Sequence, residues 1–185
     1  MPPWETTMML KTILPTPPKR AERILGIDPG FGRLGYGVVE QGGADSWKAV
    51  AYGCIETSAK NKFVERLKEI RDELEEIIKK YQPTRMAVEE LFFFNNAKTA
   101  MDVGQARGVV LLLGIQHGLP IDEFTPLQVK QGLTGYGRAE KDQMQKVVAM
   151  VLGLKGKIKS DDAADALAVA ITAGQSLWLE KLGKV

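Results

Sequence analysis

The sequence predicts an α/β fold, a five-stranded mixed sheet with helices on both faces. Three observations predict it. Short β-type runs come first and follow one another through glycine turns. The apolar spacing then changes to a helical period, and from there strands alternate with helices. The chain has 185 residues, 44% of them hydrophobic and 26% charged, which suits one soluble domain with a sizeable core.

The first run is "RILGID" from Arg23, the second "YGVVE" from Tyr36, and the third "SWKAVAYGCIE" from Ser46, entered through Gly42 and Gly43. Joined by turns, they predict an antiparallel meander. Val64, Leu67, Ile70, Leu74, Ile77, Ile78 and Tyr81 then recur at helical spacing between charged residues, and Pro83 stops that helix. "RMAVEE" from Arg85 is the fourth strand. A long helix from about Ala97 to His117 is closed by Gly118 and Pro120, and "PIDEF" from Pro120 is the fifth strand. Helices follow near Leu127–Leu133, over Ala139–Leu152 and over Asp161–Ser176. Residues 1–21, rich in proline and polar side chains, read as a flexible leader, 22–177 as the domain, and 178–185 as a tail.

Bulk properties narrow the class only partly. A net charge of +2 is too small to establish a nucleic-acid partner by itself. The single cysteine, Cys54, excludes an internal disulfide framework and fits a cytoplasmic location. The best apolar run, "VVLLLGI" from Val109, is far too short for a membrane span, and the leader lacks the layout of a secretory signal.

The stretch "LGIDPGFGRLGYG" from Leu25 contains G-x-G-x-x-G after a strand, with Glu56 downstream. A dinucleotide site needs a helix to open at the third glycine, since the phosphate sits on that helix N-terminus. "YGVVEQGG" follows instead, so the glycines read as a tight turn. They would supply positive φ or let another backbone approach. Asp28 ends the first strand beside them. It is either a turn residue next to Pro29 or a functional acid.

Other acids lie where an α/β sheet builds sites, at strand ends and helix starts. Glu89 ends the fourth strand, where an unpaired carboxylate is unusual, and pleat alternation sends Glu90 to the opposite face. Asp161, Asp162 and Asp165 open the last helix after Ser160, a good N-cap. Acids in a first turn favour the macrodipole, which accounts for Asp161 and Asp162 but less well for Asp165. Either Asp161 or Asp162 shares a helix face with Asp165, so spacing does not choose between them. Four converging carboxylates would repel one another and invite divalent cations, Mg²⁺ or Mn²⁺ by their oxygen chemistry. His117 reads as a helix-end residue rather than a ligand.

The substrate side has two signals. Phe92, Phe93 and Phe94 cannot all face one core, and an exposed ring can stack on an unpaired base. Between Lys130 and Lys159, Lys130, Arg138, Lys141, Lys146, Lys155, Lys157 and Lys159 outnumber Glu140 and Asp142. The run is either a solvated face or a phosphate-binding cleft beside the acids.

"ILGIDPG" with "GYGVV", "AVEELFF" with "NNAKTAMDVGQARGVV", "VKQ" with "AEK", and "DAADALAVAI" resemble, in order, the RuvC Holliday-junction resolvases, from about Ile24 to Thr172. The resemblance implies a ribonuclease-H-like fold and a homodimer that nicks both strands of four-way DNA junctions in recombination and repair. It implies two Mg²⁺ ions per site and a branch-migration complex, RuvA–RuvB, as partner. Asp28, Glu89, Asp162 and Asp165 match the family's catalytic and metal-binding acids. Asp162 is chosen over Asp161 by the family register, leaving Asp161 a modest helix-end role. Phe92 matches an aromatic near the junction, and Lys130 and Lys141 match basic positions beside the cleft. On this reading the glycines let Asp28 and its ions meet a DNA phosphate. A non-catalytic junction binder, an actin-like phosphotransferase and a nuclease of RNA–DNA hybrids are the rival readings.

Overall fold

The computed structural model describes residues 21–43, 46–90 and 97–183. The leader up to residue 20, and Phe92 and Phe93, lie outside the described residues. Strands β1 (Arg23–Asp28), β2 (Arg33–Gln41) and β3 (Trp47–Glu56) form the expected antiparallel meander. Helix α1 (Phe63–Tyr81), strand β4 (Arg85–Glu89), helix α2 (Ala97–Gln116) and strand β5 (Ile121–Phe124) follow. Helices α3 (Pro126–Thr134), α4 (Lys141–Val151) and α5 (Asp161–Lys181) complete the order. The sheet runs β3-β2-β1-β4-β5, with β4 parallel to both β1 and β5.

Pleat alternation sorts the sheet residues. Leu25, Ile27, Leu34, Val38, Ile55 and Val88 face α1 and α2, where Ile70, Leu74, Ile78, Val110 and Leu113 meet them. Ile24, Val39, Trp47 and Ala87 face α5, with α3 and α4 packed beyond it. Helix α1 ends as the sequence requires: Gln82 turns into the left-handed region at φ 47° and Pro83 follows.

Two boundaries differ from the expectation. Strand β2 starts at Arg33 rather than Tyr36, because Gly35 is already paired with Asp28 on one side and Cys54 on the other. Helix α5 runs to Lys181, so residues 178–181, expected in a tail, are helical.

The glycines also work differently. Gly30, Gly32 and Gly35 all have ordinary φ; among the described residues the positive-φ glycines are Gly118, Gly135, Gly153, Gly156 and Gly183. Their use is close approach. A Cβ on Gly26 would run into the Ala166 carbonyl oxygen, and one on Gly35 into the Asp162 carbonyl oxygen. The bare strands let the alanine-rich α5 lie directly on the sheet. Gly26 and Gly35 therefore make room for a helix, whereas a Cβ on Gly30 would meet the Arg33 carbonyl oxygen within the loop itself.

Candidate active site

Asp28 and Glu89 are the last residues of two parallel neighbours, β1 and β4. The register pairs Ile27 with Val88 on the α1 side, which sets Asp28 and Glu89 side by side on the α5 side. Helix α5 starts above them, capped by the Ser160 hydroxyl, which accepts from the Ala163 N–H at 3.4 Å. Because α5 rests on Gly35 and Gly26, its first turns bring Asp162 and Asp165 over the strand ends.

The carboxylates feel one another. Burial pushes Asp28 up to about 7, with Asp165 and Asp162 adding to it and Lys141 opposing. Burial likewise pushes Glu89 up to about 8, helped by the charges of Asp28 and Asp165 and opposed by Lys130. The interaction between the two side chains favours the ionised form of Asp28 and the protonated form of Glu89. Burial also raises Asp165, against the pull of Lys141. Burial first, and one another's charge second, hold three acids above their usual range at one end of the sheet.

Cations border the group. The Arg33 Nε–H donates to Asp162 Oδ2 at 2.9 Å, and the Arg33 guanidinium also reaches Glu56 at 3.3 Å. Lys141 Nζ lies 3.2 Å from Asp161 and 3.7 Å from Asp165. Lys130 and Lys141 line a cavity of about 200 Å³ with Glu89, Asp165, Val129 and Met144. Arg138 is exposed on the turn between α3 and α4, whose element bounds leave it just ahead of Lys141. With Asp162 drawn to Arg33 and Asp165 toward Lys141, no three acids among the described residues close into a ready ligand cage.

Asp161 and Asp162, indistinguishable by spacing, are separated by the structure. The Asp162 charge acts on Asp28, whereas Asp161 is drawn away by Lys141 and by Gln145 and is held below the usual carboxylate range. His117 binds Glu75 through Nε2 at 3.0 Å, tying α2 to α1, as a helix-end residue would.

The family model of crossover junction endodeoxyribonuclease RuvC matches residues 24–173. The chain belongs to the RuvC family. The RuvC of Caldicellulosiruptor saccharolyticus is 54% identical over 149 residues, which cover 80% of this chain and 90% of that protein. The RuvC of Halothermothrix orenii is 51% identical over 85% of this chain and 95% of that protein. Thermus thermophilus RuvC in complex with Holliday junction substrate superposes with a TM-score of 0.80 at 35% identity, over 88% of this chain and 97% of that one. The fold is thus ribonuclease-H-like, as the resemblance implied.

Two residues of this RuvC site escaped the sequence reading. Arg33 opens β2, just past the glycine turn, and nothing in the sequence pairs it with Asp162. Gln145 did leave a signal: it sits between the core residues Met144 and Val148 on α4, and a buried amide there needs a polar partner.

Proposed function

We propose that Asp28, Glu89, Asp162 and Asp165 hold divalent metal ions, two of them and normally Mg²⁺, and that the strand to be cut lies over this group. By family the chain is a crossover junction endodeoxyribonuclease, acting on Holliday junctions. One observation carries the metal reading: Asp28 and Glu89 end neighbouring parallel strands under the start of α5, half-buried beside Asp162 and Asp165, and burial together with those neighbouring charges pushes the pair up to about 7 and about 8. Oxygen-only donors suit hard cations, and cations would relieve that repulsion. Bound there, the ions supply Lewis-acid activation of water and stabilisation of the leaving oxygen.

The chain's own residues prepare this. With divalent ions bound, Asp28 and Glu89 would be held ionised, so the site would lose protons as it fills. Arg33, already shared between Asp162 and Glu56, would keep its contact with Glu56 when Asp162 serves as a ligand. Lys130 and Lys141, on the cavity wall, steady the phosphoryl oxygens as charge builds on them. Arg138 binds backbone phosphate further out. Phe92 and Phe93, just past Glu89 in sequence, stack on bases beside the scissile phosphate.

A four-way junction offers two equivalent strands, and a C2 dimer matches it. Helix α2 supports that reading. Met101, Leu112 and Ile115 are exposed along one side, and Gly104 and Gly108 have open space where a Cβ would be. A second copy of α2 would fit against this face. Residues 22–177 are the nuclease domain of a cytoplasmic protein that receives its junctions from RuvA–RuvB. Among the described residues no helix is long and apolar enough to cross a membrane.

The test is cleavage of a synthetic mobile junction, with nick mapping, beside calorimetric Mn²⁺ titration of the wild type and Glu89→Gln. Symmetric nicks that require the metal, with Mn²⁺ binding weakened in Glu89→Gln, are expected. Unchanged Mn²⁺ binding in Glu89→Gln would overturn the ligand assignment.

A further inference from the structure

The starts of α4 and α5 are joined by a clamp on the proposed site's lysine. Lys141 and Gln145 are four apart on α4, and Asp161 and Asp165 four apart on α5, so each pair occupies one helix face. The two faces meet. Gln145 Nε2 donates to Asp161 Oδ1 at 2.7 Å, and the other oxygen of the same carboxylate lies 3.2 Å from Lys141 Nζ. Lys141 Nζ is also 3.7 Å from Asp165. Gln145 is only 5% exposed, packed beside Met144 and Val148. A carboxylate can only accept, so the amide nitrogen must face Asp161. That leaves Gln145 Oε1 buried without a protein partner. Burying an amide with one oxygen unmatched is costly, and the return on that cost is a fixed Asp161.

We infer that Asp161, held by Gln145, is a positioning residue that aims the Lys141 ammonium at the scissile phosphate and keeps it from settling on Asp165. The inference rests on the reading that Lys141 serves cleavage. Lysine is a flexible stem with a point charge, so its aim must come from its neighbours. Asp161 holds the ammonium more closely than Asp165 does, at 3.2 against 3.7 Å, which leaves Asp165 available as a ligand. This gives Asp161 more than the helix-end role expected from sequence.

A double-mutant cycle tests it, with single-turnover cleavage, junction affinity and Mn²⁺ binding measured for wild type, Asp161→Asn, Lys141→Ala and the double variant. Asp161→Asn should lower the cleavage rate by up to about 100-fold, as a misplaced catalytic group does, with junction affinity kept. In the Lys141→Ala background the same change should cost neither rate nor Mn²⁺ affinity. Gln145→Met, which keeps the packing and removes the donor, should slow cleavage in the same direction. In the metal-free protein, ¹³Cε relaxation of Lys141 should show a more mobile side chain in Asp161→Asn. Equal rate loss in both backgrounds, or Mn²⁺ affinity lost in the Lys141→Ala background, would make Asp161 a ligand and overturn the clamp. Lys141 relaxation unchanged by Asp161→Asn would overturn it as well. Full activity of Lys141→Ala alone would instead remove the reading on which the clamp rests.

Discussion

Where α1 and α2 meet the sheet, side chain packs into side chain: Leu25, Ile27, Leu34 and Val38 against Ile70, Leu74, Ile78 and Val110. Where α5 meets it, backbone meets backbone, with Gly26 under the Ala166 carbonyl and Gly35 under the Asp162 carbonyl. The first face can absorb a small change by shifting rotamers. The second also packs side chains, Ile24, Val39 and Trp47 with Leu167, but at Gly26 and Gly35 the helix backbone rests on bare strand, so the height of α5 above Asp28 is fixed at those two contacts. The proposed site lies on the second face, where an acid on a rigid element keeps its distance from its neighbours. The first face supplies stability; the second supplies geometry.

The largest effect that tests this division is at the acid itself. Asp28→Asn should abolish cleavage while leaving junction affinity near wild type, since binding rests on the basic surface. Filter binding and gel cleavage assays on one preparation decide it, and parallel loss of both would mean that the substitution damaged the fold. Next comes Gly35→Ala. Its methyl pushes on the Asp162 backbone, and an error of about 1 Å in such a site costs on the order of 100-fold in rate. The variant should remain folded by circular dichroism yet cleave poorly at saturating Mg²⁺. Normal cleavage would show that α5 can rise without consequence and would erase the contrast between the faces.

The opposite outcome is expected across the sheet. Leu74 is fully buried against the α1 side of the sheet, and Leu74→Ala should cost about 2–5 kcal/mol of stability through lost burial and a cavity. Its cleavage rate per folded molecule, measured well below the lowered melting temperature, should match wild type. A rate loss as large as that of Gly35→Ala would mean that geometry is transmitted through both faces.

Much of the fold was legible in the chain. The order of elements followed from β-type runs and a change of period; strand ends and a helix start marked Asp28, Glu89 and Asp165 as candidates, while Asp162 was preferred to Asp161 only through the family register. What stayed hidden depended on contact between distant segments. The motif around Gly35 reads as a turn because its partner, the Asp162 backbone, is far away in sequence. Asp161 and Asp162 differ by one position on a helix, about 100° of rotation, and only the packing of α4 against α5 shows which turns toward Asp28. Arg33 had no pattern at all, since a charged residue at an exposed strand end is ordinary until its partner is known.

A finer comparison uses pH, where the change per unit is at most about 1.4 kcal/mol for each proton involved. Asp28 and Glu89 are raised in the folded protein to about 7 and about 8, from ordinary values of 3.8 and 4.5. Between about pH 5 and 8 the folded state therefore keeps protons that the unfolded chain has already lost. The pair's contribution is fully present below the unfolded values and is lost as pH rises through the folded ones. In chelator, the melting temperature should fall from pH 5 to pH 8. Glu89→Gln should flatten that slope, because the substituted group has no proton to lose. Mg²⁺ added at pH 8 should raise the melting temperature of the wild type and do little for Glu89→Gln, since cations take the place of the pair's protons only where both carboxylates remain. The apolar face gives a control: Leu74→Ala should lower the whole curve and keep its slope. A flat wild-type curve in chelator would show that Asp28 and Glu89 are already ionised without metal, and the site would then be a preformed anionic pocket rather than one that charges as it fills.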